Sequence, residues 1–356
     1  MLLNRANICH YLLDKGFIDV KLITDGYFTS HLIQSRNNSF IVNKKIEGQQ
    51  SLFVKQVKNS NPDNLETLRN EATCYWLANN EPSFEALTNF LPKYYNYDYI
   101  SNILVIEYLK NAISLNDYYE SRNDFSLDMA EKIADLLSSF HNNIFDKIKN
   151  SKSINLFRKA IPFVFTLVGN RQKSWSNNNN QAELKMLELI NQTPNFSTLV
   201  DEVRNSWKQT SLIHGDIKSA NLLIEKNKKL SLIDWELADI GDPCWDLAAV
   251  FQIFFLHYIY AELKSGQSSN SHLEKVKPSL NHFWNRYSEK MKFTETQKKS
   301  DLTKSLQFSA LKLIHTCFES TVTSNQLMPS SAKMLQLSLN ILKNPQESLT
   351  SFFDIN

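Results

Sequence analysis

The sequence predicts an α+β protein of two lobes: an N-terminal five-stranded antiparallel sheet with one helix, and a mainly α-helical C-terminal lobe with a small β-hairpin. Three observations point there. Between Thr29 and Val57, short strand-like runs alternate with turn residues such as Glu47-Gly48. From about Ser114 onward, apolar residues recur at helical spacing. Within that helical half, two short apolar runs flank a polar turn at Glu225–Lys229, the pattern of a hairpin.

Taken in order, Leu2, Ile8, Leu12 and Leu13 mark a helix that stops at Gly16. Strand-like runs follow at Lys21–Thr24, Thr29–Gln34, Ser39–Val42 and Leu52–Val57, punctuated by Asp25-Gly26 and Glu47-Gly48. Asn64–Ala78 (NLETLRNEATCYWLA) places Leu65, Leu68, Ala72, Tyr75 and Trp76 along one side of a helix. Tyr94–Tyr99 and Ile103–Tyr108 complete the strands of a first lobe over residues 1–109. The second lobe, residues 110–356, is expected to hold helices at Leu115–Tyr119, Leu127–Asn143, Ile154–Val168 and Gln181–Asn191. An exposed loop fits Asn177–Asn180, and the hairpin strands are Leu222–Ile224 and Leu230–Ile233, isolated among helices. Helix resumes beyond Leu247 until a flexible loop at Ser265–Ser271 (SGQSSNS), and no repeat of fixed period is present.

Composition bounds the function. A chain of 356 residues with 42% hydrophobic and 21% charged residues buries a core rather than remaining disordered. A formal net charge of +2 gives no reason to expect a nucleic-acid partner. The four cysteines, Cys9, Cys74, Cys244 and Cys317, form no CxxC pair, which argues for a reducing, cytoplasmic setting over a disulfide framework or zinc site. MLLNRANICHYLLDKGF meets charges too early for a signal peptide, and no run of about 18 apolar residues suggests a membrane span.

The interval Leu212–Ala248 gathers His214, Asp216, Asn221, Asp234, Asp242 and Asp246 between short apolar runs. Buried acids are costly unless paired or bound to a cation. Antiparallel pairing of the hairpin sets Asn221, before its first strand, beside Asp234, at the end of its second. An amide and a carboxylate oxygen so placed suit a hard cation such as Mg²⁺. Asp216, on the loop just before, is spaced to meet a hydroxyl instead. Asp242 reads as a turn residue, His141 as a packed helix-end histidine, and Cys244 as an apolar filler beside Trp245. Phe251, Ile253, Phe254, Phe255, Tyr258 and Tyr260 read as core.

HGDxxxxN at His214–Asn221, followed by IDWE and GDPxxDLA, resembles the phosphotransferase family of aminoglycoside kinases (APH) and relatives, which has the two-lobed protein-kinase-like fold. The resemblance covers roughly residues 20–260 and is strongest over 212–248. It implies that Asp216 orients the acceptor hydroxyl and takes its proton, and that Asn221 and Asp234 hold Mg²⁺ on the nucleotide phosphates. His214 would brace the loop, and Asp246 would anchor it through its backbone. In the first lobe, Lys55 in LFVKQV would pair with Glu71 and touch the phosphates. Glu107, Tyr108 and Leu109 would form a hinge whose backbone binds a purine edge, with Ile23 and Val54 as apolar cover. The covering loop Thr24–Ser30 has one glycine, Gly26, so phosphate cradling there would lean on the Thr29 and Ser30 hydroxyls. Lys218 would reach the γ-phosphate.

Eleven residues (235–245) separate Asp234 from Asp246, too few for a protein-kinase activation segment. About 70 residues lie between His141 and His214. Both features resemble the small-molecule branch of the superfamily. The expectation is therefore a Mg²⁺-dependent phosphotransferase using ATP, or GTP, on a hydroxyl of a sugar, an amino alcohol or an aminoglycoside-like compound. The alternatives are a kinase of peptide Ser/Thr hydroxyls and a non-catalytic kinase-like binding module. The acidic residues of 247–356 are scattered among lysines, which disfavours a polycationic aminoglycoside.

Overall fold

The computed structural model describes residues 1–355 except 35–36, 59–61, 123–124, 143, 167–179 and 267–268. The expected loop residues 177–179 and the end of the expected helix at 167–168 therefore lie outside the described residues. The chain forms two compact units, Met1–Tyr118 with Ala220–Ala238, and Tyr119–Ser219 with Asp239–Asn356. The hairpin residues fall with the N-terminal unit.

In the first unit, α1 (Ile8–Asp14) and α2 (Val20–Thr24) precede the sheet. The expected strand at 21–24 is this second helix. Asp19 caps it by accepting the Leu22 N–H at 2.9 Å. Gly26, at φ +73°, closes it in a Schellman motif, with Gly26 N–H donating to Ile23 O and Tyr27 N–H to Leu22 O. Five residues are too few for periodicity to separate helix from strand, and the caps decide.

The sheet runs β1 (Phe28–Gln34), β2 (Asn38–Lys44), β3 (Leu52–Gln56), β5 (Ile103–Glu107), β4 (Tyr94–Asp98), antiparallel throughout. Side chains alternate between its faces. Phe40, Val42, Leu52, Val54, Ile103 and Val105 face one way and form a core with Leu3, Ile8, Tyr11, Leu12 and Leu22. The register Ile41↔Phe53↔Ile106 and Ser39↔Lys55↔Leu104 defines the opposite face. Helix α3 (Pro62–Asn80) buries Leu68, Ala72 and Tyr75, whereas Trp76, expected on the same side, is 47% exposed.

The hairpin forms as expected from β8 (Leu222–Ile224) and β9 (Leu230–Leu232). It is not isolated, because β6 (Ile113–Ser114) pairs with β8 and makes a three-stranded sheet. That pairing draws the hairpin into the first unit. Phe90 adds to it by accepting the Leu232 N–H at 2.8 Å.

Among its described residues, the second unit has helices and one strand pair, β7 (Ser211–Ile213) with β10 (Asp239–Gly241). Its helices are α5 (Leu127–His141), α6 (Ile144–Ile148), α7 (Gln181–Asn191), α8 (Phe196–Asn205) and α9 (Pro243–Ser265), with α4 (Leu115–Arg122) entering it. They continue with α10 (Ser269–Lys290), α11 (Glu295–Thr323), α12 (Pro329–Lys343) and α13 (Pro345–Phe353). The helix expected from Ile154 is absent; two 3-10 turns, Lys152–Leu156 and Phe163–Thr166, stand in its place, and Pro162 between them has no N–H for a helical ladder. Of the expected loop at 265–271, Ser265 ends α9, α10 begins at Ser269, and 267–268 lie outside the described residues.

Helix α9 is long and apolar enough to cross a membrane, yet 67% of its most apolar window is buried inside the protein, so its composition is that of a core helix. Phe251, Ile253, Phe254 and Phe255 are buried as expected, but Tyr260 is 51% exposed. All four cysteines are free.

Candidate active site

The chemistry in the first unit centres on Lys55. Its Nζ lies 2.6 Å from Glu71 Oε2, 2.8 Å from Asp234 Oδ1 and 3.7 Å from Glu236 Oε2. Burial works against the ammonium, but the charges of Glu71, Asp234 and Glu236 outweigh it and raise the Lys55 pKa. Three carboxylates around one ammonium leave this cluster acidic. Asp234 sits in the left-handed region at φ +67°, between β9 and the 3-10 turn Trp235–Leu237. Strain of this kind persists where the surroundings hold it. Here Ile233 N–H donates to Asn221 O at 3.0 Å, and the indole Nε1 of buried Trp235 donates to Leu232 O at 2.9 Å. From α3, Asn70 Nδ2 donates to Glu236 O at 3.0 Å and Ala238 O at 2.7 Å. Asn221 and Asp234 are thus brought to the same end of the hairpin. An amide, a carboxylate and surplus negative charge fit a divalent cation with oxygen ligands such as Mg²⁺.

The second unit builds the His214–Asp216 loop. Asp246, in the first turn of α9 and fully buried, accepts His214 N–H through Oδ2 at 2.7 Å and Gly215 N–H through Oδ1 at 3.0 Å. His141 Nε2 lies 3.2 Å from the same Oδ2, and its Nδ1 is 2.9 Å from Tyr287 Oη. His141 is therefore a buried structural group, as expected. His214 Nδ1 accepts the Asp216 N–H at 3.2 Å, which leaves the other ring nitrogen as the protonated one in the neutral tautomer. Asp216 keeps a side chain 29% exposed and pairs with Lys218, Nζ to Oδ2 at 2.6 Å. Trp245 Nε1 donates to Gly215 O at 3.1 Å, fixing the loop from below.

Several expected placements differ. Val54 and Lys55 are adjacent on β3 and so face opposite ways; Val54 belongs to the core, and Phe53 shares the Lys55 face. Ile23 also packs against that core. Ser30 pairs with Val42 on the core face, whereas Thr29, opposite Asn43, lies on the Lys55 face. Gly26 is the closing residue of α2, and the connection from β1 to β2 runs through 35–37, of which 35 and 36 lie outside the described residues. Glu107 Oε2 accepts the Lys93 N–H at 3.2 Å, Tyr108 N–H donates to Ser51 O at 2.9 Å, and Leu109 O accepts Ala112 N–H at 3.1 Å. A cavity of about 410 Å³ borders Glu107 and Leu109 together with Ser51 and Glu225, but Lys55, Asn221 and Asp234 do not line it.

Asp242 is more than a turn residue: fully buried, it caps α9 by accepting Cys244 N–H at 3.0 Å, accepts Lys208 N–H at 3.0 Å and pairs with Lys304 at 2.9 Å. Sequence reasoning passed over Glu236 and Phe53. Phe53 lies two before Lys55 on one strand, so a period-of-two reading carries its signal; Glu236 lies in the 3-10 turn after Asp234, where strand alternation gives none.

The sequence profile of the phosphotransferase enzyme family (APH) matches residues 35–258, more than half of the chain. No curated protein matches it in sequence. Among solved structures, the fold is similar to a choline kinase from Cryptosporidium parvum, with a TM-score of 0.58 at 16% identity over 97% of this chain and 96% of that one. An ethanolamine kinase from Plasmodium vivax gives 0.58 at 16% identity over 94% and 88%. A macrolide 2'-phosphotransferase from Brachybacterium faecium gives 0.50 at 11% over 96% and 99%. The family match, on a fold shared with small-molecule kinases, identifies the chain as a member of the phosphotransferase enzyme family.

Proposed function

We propose that this phosphotransferase moves the γ-phosphoryl group of ATP to a hydroxyl of a small molecule, with Asp216 receiving the hydroxyl proton. One observation carries the reading. Asp246 commits both oxygens to the loop backbone, while Asp216, on that same loop, keeps a part-exposed carboxylate. The acceptor oxygen, aligned by Asp216, forms the new bond to the γ-phosphorus as the bond to the β–γ bridging oxygen breaks. The proton passes to Asp216 and ADP leaves. Lys55 would steady the α- and β-phosphates, with Glu71 and Glu236 holding its ammonium in place. Lys218, next to Asp216, would meet the γ-phosphate. Asn221 and Asp234 would hold Mg²⁺, which supplies charge neutralisation on the phosphates. Thr29 and Phe53, on the Lys55 face of the sheet, would cover the nucleotide, with the backbone of Glu107 and Leu109 at its purine edge.

The solved kinases of similar fold are named for choline, ethanolamine and macrolides, which supports a small-molecule acceptor. Four free cysteines support a reducing compartment such as the cytoplasm. The test is ADP release from ATP, with and without Mg²⁺, against choline, ethanolamine, erythromycin, kanamycin and a set of sugars and sugar acids. Mg²⁺-dependent release above the water-only rate for one of these supports the reading. Calorimetry that finds no Mg²⁺-dependent ATP binding overturns it.

A further inference from the structure

Lys312 lies on α11 in the run SALKLIHTCF, where its neighbours are apolar, and is only 8% exposed. Its Nζ stands 3.8 Å from the centroid of the Trp245 ring. Among the described residues, no carboxylate comes within 4 Å of that ammonium. The turn that carries it is fixed from α9, because Gln252 Nε2 donates to Lys312 O at 3.1 Å and to Thr316 Oγ1 at 2.8 Å. Trp245 is in turn bonded to Gly215 O, one residue before Asp216. The ammonium therefore stands beside the loop that presents Asp216.

A buried ammonium with only a ring face for company is expensive, because a ring replaces little of the lost hydration. Burial lowers the Lys312 pKa to about 8, and the charges of Asp246, Asp216 and Glu319 offset this only in part. Asp246 and Asp216 already have partners. Asp246 holds two backbone N–H groups and faces His141, while Asp216 pairs with Lys218. One turn along α11, His315 adds no negative charge, and Glu319, beyond it, is exposed. A cationic acceptor would find the aromatic face of Trp245 taken by the protein's own cation and would be repelled by it. An anion would complete the site.

We infer that Lys312 is the counter-ion for an anionic group, carboxylate or phosphate, on the acceptor, so that the substrate is an acidic hydroxyl compound such as a sugar acid or sugar phosphate. This rests on the transferase reading above, with acceptor and Asp216 in one place. Lys312 touches the substrate in binding and takes no part in proton transfer.

The experiment measures the affinity of D-gluconate, glucose 6-phosphate, glucose and choline for the full chain saturated with Mg²⁺ and a non-hydrolysable ATP analogue. ADP release with ATP is then followed for the same set. One of the two anionic probes should bind about tenfold or more tightly than glucose and choline, in line with a charge-assisted contact; which one distinguishes carboxylate from phosphate. Lys312→Met should remove that preference while leaving glucose binding unchanged, and Lys312→Arg should retain it. Should the methionine variant fail to fold, the wild-type preference should still fade between pH 7 and pH 9.5 as Lys312 loses its proton. Tighter binding or faster turnover of choline, no binding by either anion, or a preference that survives in Lys312→Met overturns the inference. Mg²⁺-dependent binding of the ATP analogue is read separately. Its loss defeats the transferase reading, whereas its presence with a cationic preference defeats only the role of Lys312.

Discussion

A single carboxylate, that of Asp246, holds the backbone of the His214–Asp216 loop: it accepts His214 N–H at 2.7 Å and Gly215 N–H at 3.0 Å. Burial alone would raise its pKa, but the hydrogen bond and charge of His141 and the contacts with His214 hold it below the usual carboxylate range. Asp246→Asn offers one acceptor where two N–H groups need one, and turns an N–H₂ toward the other. A buried donor left unpaired costs about 1–3 kcal/mol. We expect a loss of roughly that size in urea unfolding and a drop of about 100-fold or more in turnover, with nucleotide affinity little changed. The sign with pH follows from the depressed value. The contribution of Asp246 is present above its unfolded pKa of about 3.9 and is lost as pH falls through the lower folded value. The variant should therefore lose less stability than wild type across that acid range.

The opposite facing of Phe53 and Val54 should separate nucleotide binding from stability. Phe53→Ala should weaken Mg²⁺-dependent ATP binding, read by calorimetry, with little change in unfolding. Val54→Ala should cost about 1–3 kcal/mol of stability through a core cavity and leave ATP affinity close to wild type. The reverse pattern would restore Val54 as cover for the purine.

The Lys55 cluster predicts an asymmetry. Lys55→Met leaves Glu71, Asp234 and Glu236 without their shared cation, and should cost more stability than Glu71→Gln, in which Lys55 keeps Asp234 and Glu236. Breaking a buried pair costs about 3–5 kcal/mol, and the remaining partners should bring Glu71→Gln to about half of that or less. Denaturant titrations of the two variants would show the order.

Lys312 gives a signature at alkaline pH. Its folded pKa of about 8 lies below the roughly 10.4 of an unfolded lysine. Between those values the unfolded chain binds more protons, so the contribution of Lys312 to stability rises with pH, by an amount on the order of 3 kcal/mol. Cys244, whose thiol is pushed up by burial, works the other way over part of this range. The difference between wild type and Lys312→Met therefore isolates the lysine: the variant's advantage in stability at pH 7 should shrink by pH 10.

Much of the candidate site was legible because most of its residues lie within the one stretch 212–248. The spacing of Asn221 and Asp234 fixes a hairpin with an amide and a carboxylate at one end, and Lys55 mid-strand calls for a partner such as Glu71. What the sequence could not supply was register. Which of Val54 and Phe53 faces Lys55, and which of Thr29 and Ser30, follows only from the β1–β2–β3 pairing. The segment 21–24 fits either periodicity, and the Asp19 cap and the closing Gly26 made it a helix. β6 joined the hairpin from more than 100 residues away. Lys312 had no local signal beyond a charge in an apolar run, since Trp245, its contact, belongs to another helix.

The central claim, that Asp216 serves the acceptor and Asp234 the metal, is met most directly by one paired measurement. Asp216→Asn and Asp234→Asn are each titrated with ATP in the presence of Mg²⁺ and assayed for ADP release with whichever acceptor the wild-type enzyme turns over. Asp216→Asn should bind Mg²⁺ and ATP within about threefold of wild type and lose transfer by roughly 10²–10⁴-fold. Asp234→Asn should lose the Mg²⁺-dependent binding itself. Transfer retained in Asp216→Asn, or Mg²⁺-dependent binding retained in Asp234→Asn, would contradict the assignment.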